Sequence, residues 1–149
     1  MFSTLIQLFE GGTTSSGQTT EHTVSLATAV LLSEVIRADA QTTDDELKAY
    51  KAQLYSQFTL SEQALSALMS EGRSTAKEAT DMVQFTKVIN EKCDSDAKEE
   101  IVEGLWRVAL ADNNIAPIEE HIIRRIADLL YVPHSVFIRA KLKVVDEKA

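Results

Sequence analysis

An internal repeat with a spacing of 73 residues restricts the folds open to this chain of 149 residues. The segment VIRADAQTTDDE (residues 35–46) aligns without a gap with VALADNNIAPIE (residues 108–119). In both copies an apolar stripe at helical spacing leads to an aspartate, and a second helix is expected to start near a downstream glutamate. The repeat predicts two similar units, each made of helix, acidic turn, helix, short turn and helix. Four pairs are identical between the copies: Val35 and Val108, Ala38 and Ala111, Asp39 and Asp112, and Glu46 and Glu119.

The remaining sequence also favours helices. Only five glycines and two prolines interrupt it, and apolar and polar residues nowhere alternate over the length of a strand. We predict an all-α, single-domain bundle of seven helices, in two pseudo-symmetric three-helix units joined through a fourth helix. The expected helices span about Glu21–Asp39, Asp44–Gln57, Ser61–Gly72, Thr75–Asn90 and Asp96–Asp112, and two more begin at Pro117 and after Pro133. At the same spacing, the short turn at Phe58 aligns with Tyr131.

The first twenty residues form a separate region. Phe2, Leu5, Ile6 and Phe9 fall at helical spacing and predict a short N-terminal helix. The following stretch, GGTTSSGQTT (residues 11–20), has the composition of a flexible linker. We therefore divide the chain into residues 1–20, the helix and linker, and residues 21–149, the helical domain.

Composition and charge exclude several classes of function. A net charge of -8 disfavours a nucleic-acid binder, because neutralising phosphates requires a basic surface. No apolar run approaches the roughly 20 residues of a membrane-spanning helix, and the start lacks the basic region of a signal peptide. Cys93 is the only cysteine and lies among acidic residues, which raise the pKa of a thiol rather than activate it. A cytoplasmic protein is expected.

The aspartates of the two acidic turns need a stabilising group. Each ends an apolar helical stripe, where a carboxylate meets the negative end of the helix dipole at a cost of about 0.3–1 kcal/mol. The glutamates, in contrast, have a structural explanation: Thr43-x-x-Glu46 is a capping box, and Glu119 holds the same position after Pro117.

Two interpretations of the acidic turns remain open. In the first, each aspartate accepts backbone N–H bonds from its own turn, as in an Asx-turn. In the second, the turns bind a hard divalent cation, Ca²⁺ or Mg²⁺, through carboxylate and carbonyl oxygens. The candidate metal ligands are Asp39, Glu46, Asp112 and Glu119. No other cofactor is expected, since His121 and His134 lack partners at zinc-ligand spacing.

Three segments resemble the TerB-like family, named for the tellurite-resistance protein TerB, and are most similar to its small stand-alone bacterial members. They are QFTKVINE (residues 84–91), LWRVALADNNIAPIEEHIIRRIADLL (residues 105–130) and VPHSVFIRAK (residues 132–141). The resemblance covers about residues 21–145 and implies an all-helical domain of two pseudo-symmetric units. It also implies metal-binding or interaction roles for the four acidic positions. The family usually has glycine after the turn aspartate, where this chain has Ala40 and Asn113. Ala tolerates a left-handed backbone poorly, so the first turn is expected to be rearranged.

The family's association with tellurite resistance and stress responses names a phenotype rather than a chemistry. The sequence contains no Gly-rich phosphate loop, nucleophile elbow or triad order. We expect a non-enzymatic module that binds a partner protein, with a divalent cation tuning the acidic turns. One alternative is a metal-dependent enzyme, which requires both turns at the same end of the domain. The other is a membrane-peripheral protein held by MFSTLIQLF, although this segment has no basic residue to attract anionic lipid.

Overall fold

The computed structural model of the protein describes residues 17–38 and 41–148. The predicted N-terminal helix at Phe2–Phe9 and the candidate ligand Asp39 lie outside the described residues. Within them the chain forms helices and no strand, which confirms the all-α prediction. The helices are α1 (Gly17–Ala38), α2 (Asp44–Gln57), α3 (Glu62–Glu78), α4 (Val83–Lys92), α5 (Ser95–Ala109), α6 (Pro117–Leu129) and α7 (His134–Glu147).

Two helix boundaries, both in segments that contain glycine, differ from the predicted ones. The first helix begins at Gly17, so the last four residues of the predicted linker are helical. The third helix does not stop at Gly72 but continues to Glu78. Thr75, the predicted start of the fourth helix, therefore lies within the third, and the fourth helix begins at Val83. Glycine stands at position 72 because of close helix packing, and not because the helix ends there. A Cβ at Gly72 would fall 2.6 Å from both Ala29 Cβ and Tyr50 Oη, so glycine allows three helices to meet closely.

The contacts between helices confirm the pseudo-symmetry. Helices α1 and α5 pack against each other, and each also packs against the other two helices of its own unit. The units are interlocked, because α2 lies against α5 while its counterpart α6 lies against α1. Buried residues on α2 recur on α6 at the predicted spacing of 73. They are Glu46, Tyr50, Gln53 and Leu54 on α2, and Glu119, Ile123, Ile126 and Ala127 on α6.

The gap-free alignment is wrong at the third helix of each unit, where the spacing becomes 72. The third helices are capped by Ser61 and Pro133, and their first large buried side chains are Leu65 and Phe137. The change arises because α6 is one residue shorter than α2. Its end is closed by a left-handed residue, Tyr131 (φ 58°), whereas Phe58 is extended.

Candidate functional site

The first acidic turn leads into a complete capping box. Thr43 Oγ1 accepts a hydrogen bond from the Glu46 amide at 3.1 Å, and Glu46 Oε1 accepts one from the Thr43 amide at 2.9 Å. Glu46 is only 2% exposed, so its carboxylate is held in the interior by these bonds. The predicted structural role of Glu46 is confirmed.

The second acidic turn repeats half of this arrangement. Glu119 Oε1 accepts a hydrogen bond from the Ala116 amide at 3.0 Å, and Glu119 is also 2% exposed. Ala116 has no side-chain acceptor, so the reciprocal bond to the amide of the third helical residue cannot form. Pro117 is the first residue of α6, as predicted, where its missing N–H is not needed.

Asp112 forms the Asx-turn of the first interpretation. Its helix ends at Ala109, three residues earlier than predicted, so the carboxylate belongs to the turn rather than to the helix. Asp112 Oδ1 accepts a hydrogen bond from the Asn114 amide at 3.1 Å. The residue between them, Asn113, has a φ of 63°, the left-handed conformation that asparagine tolerates.

The fold brings the start of α2, which follows the first acidic turn, to the same end of the domain as the second acidic turn. Asp45, at the start of α2, and Ala111, in the second turn, line one cavity of about 330 Å³. In the part of the chain that the structure describes, which omits Asp39, no three His, Cys, Asp or Glu side chains cluster closely enough to hold a metal. The four-residue cation site therefore remains a prediction.

A larger groove of about 640 Å³ continues from this cavity along α2 and α5. Ala49 and Arg107 line both concavities, so the groove leads directly to this end of the domain. Its α2 side consists mainly of small residues, and its α5 side consists mainly of acids. The small residues are Ala49, Ala52 and Ser56, and the acids are Asp96, Glu99, Glu100 and Glu103.

A network of charged side chains surrounds Arg107, where the groove meets the smaller cavity. The Arg107 guanidinium donates two hydrogen bonds to the Glu147 carboxylate, at 2.8 and 3.0 Å, and a third to Gln53 Oε1 at 2.9 Å. The buried Glu103 carboxylate lies 3.3 Å from Lys143 Nζ and 3.5 Å from Arg107. Hydrogen bonding to Arg107 lowers the pKa of the Glu147 carboxyl below its usual value of 4.5. The network fixes the direction of these side chains.

Sequence reasoning missed the contact that forms the floor of the groove. A Cβ at Gly104 would fall 2.6 Å from Gln53 Cδ, so the glycine lets α2 approach α5 closely. The signal was present in the repeat, because the position of Gln53 is occupied by Ile126 in the second unit. A buried amide in place of an apolar residue requires partners.

Trp106, His134 and Cys93 lie in environments that packing explains. Trp106 is fully buried, and its ring packs on Phe137 with centroids 5.2 Å apart. His134 stacks on the same Phe137 ring. Burial, with a smaller effect from Asp94, raises the pKa of the Cys93 thiol and so disfavours the reactive thiolate.

Comparison with known protein families gives a match over most of the chain. The family model described as tellurite resistance protein TerB matches residues 25–142. No curated protein and no solved structure matches the chain. No helix among the described residues is long and apolar enough to cross a membrane.

Proposed function

Since this chain belongs to the TerB family, we propose that it is a non-enzymatic interaction module that binds a partner protein in the groove between α2 and α5. The observation that carries the proposal is the form of this groove. Two helices form its sides, small residues of α2 leave room on one of them, and the acids of α5 line the other. Helix-in-groove recognition uses this combination of shape and charge.

The acidic wall indicates the chemistry of the partner. A helix with Lys or Arg along one edge would place its cations beside Asp96 and Glu100, both exposed. Its apolar side would rest on Ala49 and Ala52. The net charge of -8 would also attract a basic partner over a longer distance and speed the encounter. The family resemblance makes tellurite resistance or a stress response the expected context.

Two features of the groove support binding rather than catalysis. The described residues that line it include no His and no Cys, and its buried acid, Glu103, is already paired with Lys143 and Arg107. Arg107, the cation at the junction with the smaller cavity, already binds Glu147 and Gln53, so its role is structural.

A divalent cation at the acidic turns is a second candidate activity. The observation in its favour is that the start of α2 and the second turn lie at one end, beside the groove. A bound Ca²⁺ or Mg²⁺ would couple the turns to partner binding by changing the charge at the end of the groove. This site would draw on Asp39, Glu46, Asp112 and Glu119.

The partner-binding proposal can be tested with a defined probe. We would titrate a 14-residue helical peptide, with alternating Leu and Lys faces, into the isotopically labelled protein and follow amide chemical shifts. A matched peptide with Glu in place of Lys serves as the charge control. Binding of the Lys peptide, with shifts concentrated at Ala49, Ala52 and Ser56, is expected.

Charge reversal then tests the acidic wall. Each exposed charge pair contributes about 0.2–1 kcal/mol, so Asp96→Lys with Glu100→Lys should weaken the Lys peptide about 2-fold to 30-fold. Glu62→Lys with Glu91→Lys makes the same change of net charge away from the groove and should have a smaller effect. Equal weakening by both pairs, or shifts spread over the whole surface, would refute the groove as the binding site.

A further inference from the structure

Helix α7 carries an apolar stripe on its outer face. Leu142 is 60% exposed, Val145 is 46% exposed, and Ile138, one turn before Leu142, is half-buried. The side of α7 that packs into the core is a different one, formed by Phe137, Ala140 and Val144. No other helix in the described part of the chain covers Leu142 or Val145, so this face is open to a partner.

The fold does not require apolar residues at these positions. Helix α3 is the counterpart of α7 in the first unit, at the spacing of 72 residues, and it has Ser66, Ser70 and Arg73 in place of the stripe, all exposed. The positions that the fold does require are apolar in both helices, as Leu65 and Phe137 show. Single exposed apolar residues are common on protein surfaces, but a row of three that the equivalent helix lacks indicates a docking surface.

The spacing of the stripe is that of a seam between two helices. Its residues are four and three positions apart, which is the heptad pattern by which one helix packs along another. Two rows of charged residues flank this seam. One row has Arg139 and Asp146, and the other has Lys141 and Lys148. The occupant of the face is therefore expected to be a helix with a similar apolar row, and the flanking charges determine its direction.

We propose that α7 binds the α7 of a second copy of this chain, with the two helices antiparallel. Leu142 then packs beside Val145 of the second copy, and Arg139 lies opposite Asp146 of the second copy. Because the contact is symmetric, each of these pairs forms twice. Both charged side chains are exposed, and within the described residues Arg139 donates to Glu99 through Nε and Nη2, which leaves Nη1 as a donor for Asp146.

The second row of charges disfavours a parallel pair. In a parallel pair Lys141 would have to bind Asp146 of the second copy. Lys141 is turned away from the seam, however, because its Nζ binds Glu120 at 3.2 Å and lies 5.2 Å from the centre of the Trp106 ring. In the antiparallel pair Lys141 comes near Lys148 of the second copy, and the Glu120 carboxylate offsets this repulsion.

The proposal does not rest on a partner for the groove between α2 and α5, but it affects how such a partner binds. Arg139 binds Glu99, which lines the groove, so the seam runs beside it. A dimer would present two grooves held in a fixed arrangement. A partner with two basic helices would then bind with greater avidity than a partner with one.

Sedimentation velocity of the full chain, at concentrations from about 10 μM to about 1 mM, tests the proposal. A contact between single helices is small, so we expect monomer at the low end and an increasing share of dimer towards the high end. Leu142→Ser with Val145→Ser should weaken the dimer at least about tenfold. Tyr55→Ser, at a residue of α2 that is 64% exposed, is the control and should leave the dimer unchanged. Monomer at every concentration, or a dimer that the stripe variant does not weaken, would overturn the proposal.

An exchange of charges tests the direction of the helices. Arg139→Glu alone and Asp146→Arg alone each place two pairs of like charge across the seam, and each should weaken the dimer about 2-fold to 30-fold. An equimolar mixture of the two variants has opposite charges in both pairs, so a heterodimer should form as tightly as the wild-type dimer. This restoration would also show that both variants are folded. Single variants that associate as tightly as the wild type, or a mixture no tighter than the separate variants, would overturn the antiparallel pairing. Neither result bears on whether the Lys peptide binds in the groove, so the two proposals can fail separately.

Discussion

The side chain of Gln53 on α2 lies directly against the backbone of Gly104 on α5. A Cβ built at Gly104 would be 2.6 Å from Gln53 Cδ and 2.8 Å from Nε2. Gln53 cannot move away without losing contacts, since its Oε1 accepts a hydrogen bond from Arg107 at 2.9 Å and its Nε2 donates one to Gln57 at 2.9 Å. This one contact sets the distance between the two helices that form the groove.

Gly104→Ala is therefore expected to destabilise the protein, although alanine favours a helix by about 1 kcal/mol over glycine. Overpacking typically costs about 1–3 kcal/mol, and here the Gln53 hydrogen bonds would be lost as well. We expect the free energy of unfolding, measured in urea, to fall by about 1–2 kcal/mol. The control is Gln53→Ala: in that background the space is free, and Gly104→Ala should be neutral or stabilising. A stabilising effect in the wild-type background would contradict the close approach.

Gly72→Ala should be more damaging than Gly104→Ala. The added Cβ would meet Ala29 Cβ and Tyr50 Oη at 2.6 Å, and the Ala29 carbonyl carbon at 3.1 Å. A backbone atom of a central helix cannot rotate aside, so α3 would have to move away from α1. We expect a loss of about 2–3 kcal/mol in urea unfolding, against a near-neutral Ser70→Ala on the exposed side of the same helix. Equal stability of the two variants would argue against this packing.

The buried phenol of Tyr50 is expected to make the protein less stable in alkaline solution. Burial raises its pKa to about 12 from the usual 10.0, while the nearby Ser33 hydroxyl and the charge of Arg73 act in the opposite direction. A raised pKa means that the folded state favours the neutral phenol. This contribution is complete below pH 10 and is lost as the pH rises towards 12, by about 2–3 kcal/mol in total.

The measurement is urea unfolding at several values between about pH 9 and about pH 11.5. Tyr50→Phe should be less stable at neutral pH, because the hydrogen bond to the Met69 carbonyl is lost, but its stability should fall less steeply with pH. Tyr55→Phe, at a residue 64% exposed, should follow the wild-type slope. An identical slope for Tyr50→Phe would show that this phenol does not control the alkaline limb.

Substitutions at Asp112 distinguish the two interpretations of the acidic turns. An asparagine side chain at this position would keep an oxygen able to accept the Asn114 amide, so Asp112→Asn should be almost neutral in stability if the residue only closes the turn. Asp112→Ala should cost about 0.5–2 kcal/mol, by analogy with the loss of a side-chain cap. Calorimetric titration of Ca²⁺ and Mg²⁺ into the metal-stripped wild type and Asp112→Asn then tests the cation site. Binding that Asp112→Asn abolishes supports the site, and no heat in the wild type contradicts it.

Several features could be predicted from sequence because they depend on residues close together in the chain. Thr43 and Glu46 are three residues apart, and their reciprocal bonds form as expected in the capping box. Pro117 marks the start of α6 for the same local reason. The acidic turns were also identified, and the Asx-turn at Asp112 was one of their two interpretations.

The errors have other causes. Gly72 was interpreted as a helix end, because glycine often follows the last turn of a helix. It is instead the point where α3 meets Ala29 and Tyr50, which are 43 and 22 residues away in the chain. The fixed spacing of 73 failed for the third helices because α6 is one residue shorter than α2.

The sequence by itself determined the helical class, the two-unit repeat and the capped starts of α2 and α6, since periodic apolar burial and bonds across three residues are encoded locally. Only the tertiary structure decided that Gln53 meets Gly104, that the start of α2 and the second acidic turn lie at one end, and that a groove follows α2 and α5. These relationships depend on which helices pack side by side. That choice is made by the burial of the whole set of apolar faces at once, and no local pattern contains it.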